Sequence, residues 1–122
     1  MLALVIDDSM LIRHTVCRFL QSRGFQVETA ANGIAALEAL KSFRPDLILT
    51  DLQMPQLSGY QLIDALKADP ETAAIPILVL AAKPLAEVPL DTRVHSLIYK
   101  DLNVEEQLNQ ALEGLFPGLP QA

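Results

Sequence analysis

Three aspartates and one lysine have types and positions that could support chemistry in this sequence. Asp7 and Asp8 follow an apolar run at 2–6, and Asp51 ends another apolar run at 47–51. If these runs are neighbouring parallel strands, their carboxyl ends share one edge of a sheet and the three carboxylates converge there. Two carboxylates about 5 Å apart repel by about 3 kcal/mol at an effective dielectric of about 20. Such a cluster therefore needs a proton, a cation or both.

A magnesium ion suits these ligands, because Mg²⁺ prefers oxygen donors, takes one or two carboxylates and keeps several waters. Lys100 follows a later apolar run and can bring an ammonium group to the same edge. A divalent cation and a lysine offset the charge of a transferring phosphoryl group while a carboxylate attacks it in line. Asp51 is then the candidate nucleophile. The alternative is that Asp7, Asp8 and Asp51 are turn residues and helix N-caps.

Apolar runs of strand length alternate with segments of helical period, which is typical of βα units around a parallel sheet. The pattern predicts strands at 2–6, 26–30, 47–51, 75–80 and 94–99. It predicts helices at about 9–23, 32–43, 58–68 and 103–116. Between the last two strands, Pro84 and Pro89 interrupt the helical period, so we expect a loop or one short turn there instead of a full fourth helix.

Apolar spacing and capping signals predict how the helices start and which face each one buries. Ser58 and Gln61 have the spacing of a capping box, and a similar signature lies at 103–106. The residues expected to face the sheet are Leu11, Ile12, Val16, Phe19 and Leu20 in the first helix, and Ile34, Leu37 and Leu40 in the second.

The composition excludes several classes of protein. The 122 residues carry 9 Lys and Arg against 15 Asp and Glu, a formal net charge of -6, with no basic cluster that would suit a direct nucleic-acid partner. Cys17 is the single cysteine and there are two histidines, too few for an internal disulfide or a usual zinc site. Because no run approaches the ~20 apolar residues that span a bilayer, we expect a cytoplasmic, single-domain protein over 1–122 that does not contact membranes.

Several short segments resemble response regulator receiver domains, the CheY-like family of two-component signalling, in their order and spacing. The match extends over essentially the whole chain. The segments are V-I-D-D-S at 5–9, N-G at 32–33, L-I-L-T-D-L-Q-M-P at 47–55 with Gly59, I-P-I-L-V-L at 75–80 and Y-K at 99–100.

This resemblance implies an α/β fold, a flavodoxin-like (βα)5 sandwich with a five-stranded parallel sheet of order 2-1-3-4-5 and, here, a shortened or missing fourth helix. It implies that Asp51 accepts a phosphoryl group from the phosphohistidine of a sensor kinase. Asp8 matches the direct Mg²⁺ ligand, Asp7 a ligand through water, and Gln53 the ligand that uses its backbone carbonyl. Lys100 matches the lysine that pairs with the acceptor and later with the phosphoryl group.

The sequence departs from the family pattern where receivers respond to phosphorylation. Ala81 stands where the family usually has Ser or Thr, so the hydroxyl that bonds a phosphoryl oxygen is missing. Leu97 replaces the switch aromatic three positions before the lysine, and Asp101 replaces the usual proline after it. Together with the interrupted fourth helix, these changes fall on the family's common output face. We therefore expect the phosphoacceptor pocket to be intact and the conformational response to phosphorylation to be altered.

Two functions fit the resemblance, and a third fits poorly. The first is a stand-alone receiver that is phosphorylated on Asp51 with Mg²⁺ by a sensor histidine kinase or phosphotransfer protein and signals by binding a downstream protein target. It would phosphorylate and slowly dephosphorylate itself without turning over an external substrate. The second is a phosphorylation-independent adaptor that docks through the altered fourth helix and fifth strand. The third, an Asp-dependent phosphatase, is disfavoured because Gln53 stands where a second aspartate is needed and the chain lacks a cap domain.

Overall fold

The computed structural model describes residues 1–52, 57–81, 94–100 and 103–118. The described residues form five strands and four helices. The strands are β1 (Leu2–Ile6), β2 (Gln26–Ala30), β3 (Leu47–Asp51), β4 (Ile77–Ala81) and β5 (Ser96–Tyr99). The helices are α1 (Met10–Ser22), α2 (Gly33–Ala39), α3 (Gly59–Ala68) and α4 (Val104–Leu115), the last of which corresponds to the predicted helix at 103–116.

The five strands form one parallel sheet of order β2-β1-β3-β4-β5, which confirms the predicted flavodoxin-like arrangement. All residues of β3 and β4 are buried, whereas β2 is largely exposed at one edge, as predicted. The chain leaves β1 toward β2 on one side and returns to β3 on the other side. In open parallel sheets this reversal leaves a crevice beyond the carboxyl ends of the two diverging strands.

Helices cover both faces of the sheet, and alternate strand residues divide between two apolar layers. In β1, Ala3 and Val5 face one layer while Leu4 and Ile6 face the other. The first layer contains residues of α1 and α4, namely Val16, Phe19, Leu20, Leu108, Ala111 and Leu112. The second layer contains residues of α2 and α3, namely Ala36, Leu62, Ile63 and Leu66. The sheet is therefore held rigidly from both sides.

Local signals set most helix starts. The Ser58 hydroxyl accepts a hydrogen bond from the Gln61 amide and the Gln61 side chain accepts one from the Ser58 amide, which confirms the predicted capping box. Asn32 caps α2 by accepting from the amide of Ala35. The signature at 103–106 places the start of α4 correctly, but Asn103 makes no side-chain cap bond. Its side-chain amide nitrogen instead donates to the Glu106 carboxylate.

Two predicted core residues are wrong. Leu11 is 72% exposed and Ile34 is 50% exposed. In α1 the stripe that faces the core runs from the partly buried Ile12 to the buried Val16 and Phe19 at three- and four-residue steps, and Leu11 lies outside it. Apolar residue type alone predicts that Leu11 and Ile34 are buried. Their positions in the helical period instead place both side chains outside the face that packs on the sheet.

Some boundaries also differ from the prediction. α2 ends at Ala39 and not near 43, because the amides of Lys41 and Ser42 donate three residues back and tighten the last turn. β4 starts at Ile77 and not at 75, and the intervening Pro76 has no amide hydrogen to donate to a ladder.

Three sequence predictions fall outside the described residues: the interrupted helix at 82–93, the carbonyl of Gln53 and the position of Asp101. Within the described ranges, no helix is long and apolar enough to cross a membrane.

Candidate functional site

The carboxyl ends of β1 and β3 bring two aspartates side by side. The strands are paired in register through Ile6 and Thr50, so the next residues, Asp7 and Asp51, stand at the same level of the sheet. Both are buried, at 0% and 7% exposure. The predicted convergence at this edge is therefore a direct consequence of parallel pairing between two central strands.

Lys100 reaches the two aspartates from the far side of β4. It follows β5, and its backbone amide donates to the carbonyl of Ala81 at 2.7 Å. Its ammonium nitrogen lies 2.6 Å from Oδ2 of Asp7 and 3.1 Å from Oδ2 of Asp51. The Lys100 side chain is only 12% exposed, so one nearly buried cation bridges two nearly buried carboxylates.

Asp7 is held by backbone contacts as well as by this ion pair. Its Oδ1 accepts a hydrogen bond from the Ser9 amide at 2.8 Å, and its own amide donates to the Ala30 carbonyl at 3.2 Å. The Arg13 guanidinium donates to the Asp7 carbonyl at 2.6 Å. The backbone of Asp7 is thus held from β2 and α1, and its carboxylate is held by Ser9 and by Lys100 after β5.

Burial and charge act in opposite directions on this cluster. Burial raises the pKa of Asp7, whereas the ion pair with Lys100 and the hydrogen bond from Ser9 lower it. The neighbouring charge of Asp51 raises it further, and the net shift of the Asp7 pKa is upward. Burial lowers the pKa of Lys100, but Asp7 and Asp51 together outweigh it and the net direction is again upward. Lys100 is therefore held in its charged form beside the carboxylates.

Asp8 completes an oxygen-rich cluster. Asp8 is exposed, and one carboxylate oxygen from each of Asp7, Asp8 and Asp51 lies within 4.8 Å of the others. Three carboxylates, one of them open to solvent, form the type of donor set that Mg²⁺ accepts while it keeps several waters. The residues present therefore fit a magnesium ion.

Gly59 lies directly against the backbone that carries Asp51. Its amide donates to the Leu52 carbonyl at 2.9 Å. A Cβ atom at this position would lie 2.3 Å from the Asp51 carbonyl oxygen and 2.7 Å from the Leu52 Cα. The glycine of the D-x-x-M-P-x-x-x-G segment is thus explained by the close approach of α3 to the end of β3.

The two atypical positions, Ala81 and Leu97, lie at the end of β4 and within β5. Ala81 ends β4 beside the Lys100 backbone, is 4% exposed and carries no hydroxyl that could face the cluster. Leu97 lies in β5, is partly buried and packs on the layer of α2 and α3.

Sequence reasoning identified Asp7, Asp8, Asp51 and Lys100 but missed Arg13. Arg13 falls among the polar positions of an amphipathic helix, and its donation to the Asp7 carbonyl depends on a tertiary approach that helical spacing does not encode. Chemically, the assembled site presents a recessed carboxylate, a fixed ammonium group and an acidic rim that suits a divalent cation.

Comparison with known proteins gives one consistent result. The sequence model of the family described as "Response regulator receiver domain" matches residues 3–113. The gliding motility regulatory protein of Myxococcus xanthus is 35% identical over 115 residues, which cover 92% of this chain and 15% of that protein. The first curated relatives are all longer, and this chain spans 15% to 46% of their lengths.

Solved structures resemble the chain over nearly its full length. The chemotaxis response regulator CheY4 of Vibrio cholerae has a TM-score of 0.84 at 30% identity and is matched over 98% of its length and 94% of this chain. The response regulator protein TrrA of Thermotoga maritima, solved in complex with Mg(2+)-BeF, has a TM-score of 0.81 at 28% identity with the same coverage.

Proposed function

Because the chain belongs to the family of response regulator receiver domains, which are signalling proteins and not substrate-turnover enzymes, we propose that it accepts a phosphoryl group on Asp51. The observation that carries the proposal is the Lys100 ammonium, which lies 3.1 Å from Asp51 and 2.6 Å from Asp7. Burying an ion pair this deeply costs desolvation free energy that its attraction often does not repay, which favours a role other than stability. A recessed carboxylate whose charge is offset by a neighbouring ammonium group is suited to accept a phosphoryl group.

In the proposed step, an oxygen of Asp51 attacks phosphorus in line and forms an acyl phosphate. The bond from phosphorus to the donor nitrogen of a phosphohistidine breaks, and the electron pair stays on that nitrogen. The Lys100 ammonium pairs with the incoming phosphoryl oxygens and offsets their charge as they approach two carboxylates. Water later attacks the acyl phosphate, which returns Asp51 and releases inorganic phosphate, so no external substrate is turned over.

A magnesium ion is the cofactor that we propose. Asp8 and Asp51 would bind it directly, with the Gln53 carbonyl as a third protein ligand and Asp7 through water. When bound, Mg²⁺ supplies positive charge to the phosphoryl oxygens. The acidic cluster and the complex of the similar TrrA with Mg(2+)-BeF support this assignment.

The proposed phosphodonor is a sensor histidine kinase or a phosphotransfer protein, and residues 1–122 are proposed to act as one receiver unit that then binds a downstream protein target. Met10 and Leu11, at the start of α1 beside the acidic edge, are 76% and 72% exposed. Two large apolar side chains at the rim of a site favour a protein donor that covers them. The described residues give no support to the alternative of a phosphorylation-independent adaptor.

The assignment of Asp51 is tested by treating the protein with Mg²⁺ and a small phosphodonor such as acetyl phosphate and measuring intact mass. We expect one added phosphoryl group on the wild type and on Glu28→Gln, which removes an exposed carboxylate of β2, and none on Asp51→Asn. The same adduct on Asp51→Asn would show that another residue is modified and that the assignment is wrong.

The donor surface is tested with Leu11→Asp, which places a charge on the exposed apolar rim. We expect slower phosphotransfer from a protein donor and an unchanged rate from acetyl phosphate, because the substitution leaves the buried cluster untouched. Gln21→Asp, an exposed position in the last turn of the same helix, is the matched control. Equal protein-donor rates in the two variants would exclude Leu11 from the docking surface.

A further inference from the structure

Among the described residues, no strand pairs with the outer edge of β5, the strand that ends just before Lys100. β5 is the last strand in the described sheet and pairs only with β4. The Lys100 amide faces β4, where it donates to Ala81. Because backbone groups of successive residues in a strand face opposite neighbours, the amide and carbonyl of Tyr99 face outward. An unpaired edge of this kind usually bonds to water or to another chain.

A glutamine of α4 occupies this edge. The side-chain oxygen of Gln107 accepts from the Tyr99 amide at 2.9 Å, and its side-chain nitrogen donates to the Tyr99 carbonyl at 2.9 Å. The same nitrogen also lies 3.3 Å from the Asn103 carbonyl. A primary amide carries a donor and an acceptor and reproduces the pairing of a neighbouring strand, which neither a carboxylate nor an apolar side chain can do.

The helix beneath Gln107 is firmly anchored. Leu108 is fully buried in the core, and Ala111 and Leu112 are 8% and 2% exposed. The amide of Gln107 donates to the Asn103 carbonyl at 3.2 Å, so the residue belongs to the regular first turns of α4. The glutamine therefore connects the end of β5 to a rigid element and not to a mobile surface.

We propose that Gln107 is a positioning residue for Lys100, acting through the backbone of Tyr99. On the side that faces β4, the Ala81 carbonyl binds the Lys100 amide. On the opposite side, the Gln107 side chain binds the amide and carbonyl of Tyr99. Two contacts from opposite directions define where the lysine backbone leaves the sheet. The Nζ contact to Asp51 is already at 3.1 Å, so a small shift of this backbone weakens it first.

The experiment compares Gln107→Leu with Gln110→Leu, which replaces an exposed glutamine one turn further along α4. In Gln107→Leu we expect the amide hydrogen exchange of Tyr99 to accelerate by about tenfold, because its amide loses the hydrogen bond that it donates to the Gln107 side chain. We also expect a changed ¹⁵N signal of the Lys100 ammonium and faster exchange of its protons. Gln110→Leu should match the wild type in all three measurements.

The inference rests on the proposed function for its effect on phosphorylation. With acetyl phosphate and Mg²⁺, Gln107→Leu should be phosphorylated about three- to tenfold more slowly, the cost of roughly one weakened contact. The dependence of its phosphorylation rate on donor concentration should stay unchanged, since Gln107 does not touch the donor. If the wild type takes no phosphate, the proposed function fails, while the Lys100 ammonium signal still decides the inference.

Unchanged Lys100 signals in Gln107→Leu, together with faster Tyr99 exchange, would overturn the inference and leave Gln107 as an edge contact only. Gln107→Glu provides a second variant if Gln107→Leu does not fold. It keeps the acceptor for the Tyr99 amide but loses the donor for the carbonyl. We expect intermediate Tyr99 exchange and an intermediate change at Lys100. A wild-type Lys100 signal in this folded variant would likewise overturn the inference.

Discussion

Substituting Gly59 by alanine tests whether the backbone around Asp51 is as tightly packed as the structure indicates. Gly59 opens α3, and its new Cβ would lie 2.3 Å from the Asp51 carbonyl oxygen and 2.7 Å from the Leu52 Cα. Real Cβ atoms do not approach backbone atoms this closely. Because neither partner is the end of a flexible side chain, α3 or the end of β3 has to move.

Two opposing effects determine the magnitude. Alanine in place of glycine in a helix is favourable by up to about 1 kcal/mol. Overpacking typically costs about 1–3 kcal/mol, and contact with two backbone atoms places Gly59→Ala at the upper end of that range or above it. We therefore expect a net loss of about 2 kcal/mol in the free energy of unfolding. A displaced Asp51 also predicts slower phosphorylation from acetyl phosphate.

Gly114→Ala is the matched control, because it makes the same substitution in another helix without a clash. Among the described residues, the one neighbour within 4 Å of its Cβ would be the His95 side chain, at 3.9 Å. We expect this variant to gain up to about 0.5–1 kcal/mol and to phosphorylate normally. Urea unfolding of both variants measures the two free energies. A change of the same sign in both variants, or a Gly59→Ala protein as stable as the wild type, would refute the reasoning.

Two further predictions concern capping and thiol ionisation. Ser58→Ala should cost about 1 kcal/mol because it removes the bond that Ser58 accepts from Gln61, whereas Asn103→Ala should cost clearly less because Asn103 makes no cap bond; urea unfolding that ranks them equally would contradict this. Burial raises the pKa of the Cys17 thiol above its ordinary 9.0, although Arg13 lowers it. The stability that the neutral, buried thiol contributes is present below the pKa of the unfolded state and is lost as pH rises through the pKa of the folded state. Cys17→Ala should therefore lose less stability than the wild type when the pH rises above about pH 9. Identical pH profiles of unfolding would refute it.

The sequence predicted the order of strands and the position of the site because both follow from local rules. Apolar runs that end in Asp7 and Asp51 identify central strands of a parallel sheet, and parallel strands end at a common edge. The capping box at Ser58 needs only residues three apart, which sequence spacing shows directly.

The contacts that fix the site were not predictable in this way. Arg13 and Gln107 are polar residues on amphipathic helices, and each bonds to a backbone group of a different element. Nothing in the helical period separates them from solvated neighbours such as Gln110. Leu11 shows the reverse error, since its apolar type predicts a buried residue although it lies outside the core-facing stripe of α1 and is 72% exposed.

The site also has a mechanical asymmetry that follows from burial. Asp7 and Asp51 extend from β1 and β3, central strands paired on both sides and almost fully buried. Lys100 extends from β5, an edge strand in which Ile98 alone is buried. Elements with fewer buried contacts open at lower free energy. When the charge at Asp51 changes, we therefore expect the carboxylates to stay in place and the lysine strand to adjust, and the contacts of Tyr99 with Gln107 then determine how far that adjustment reaches α4.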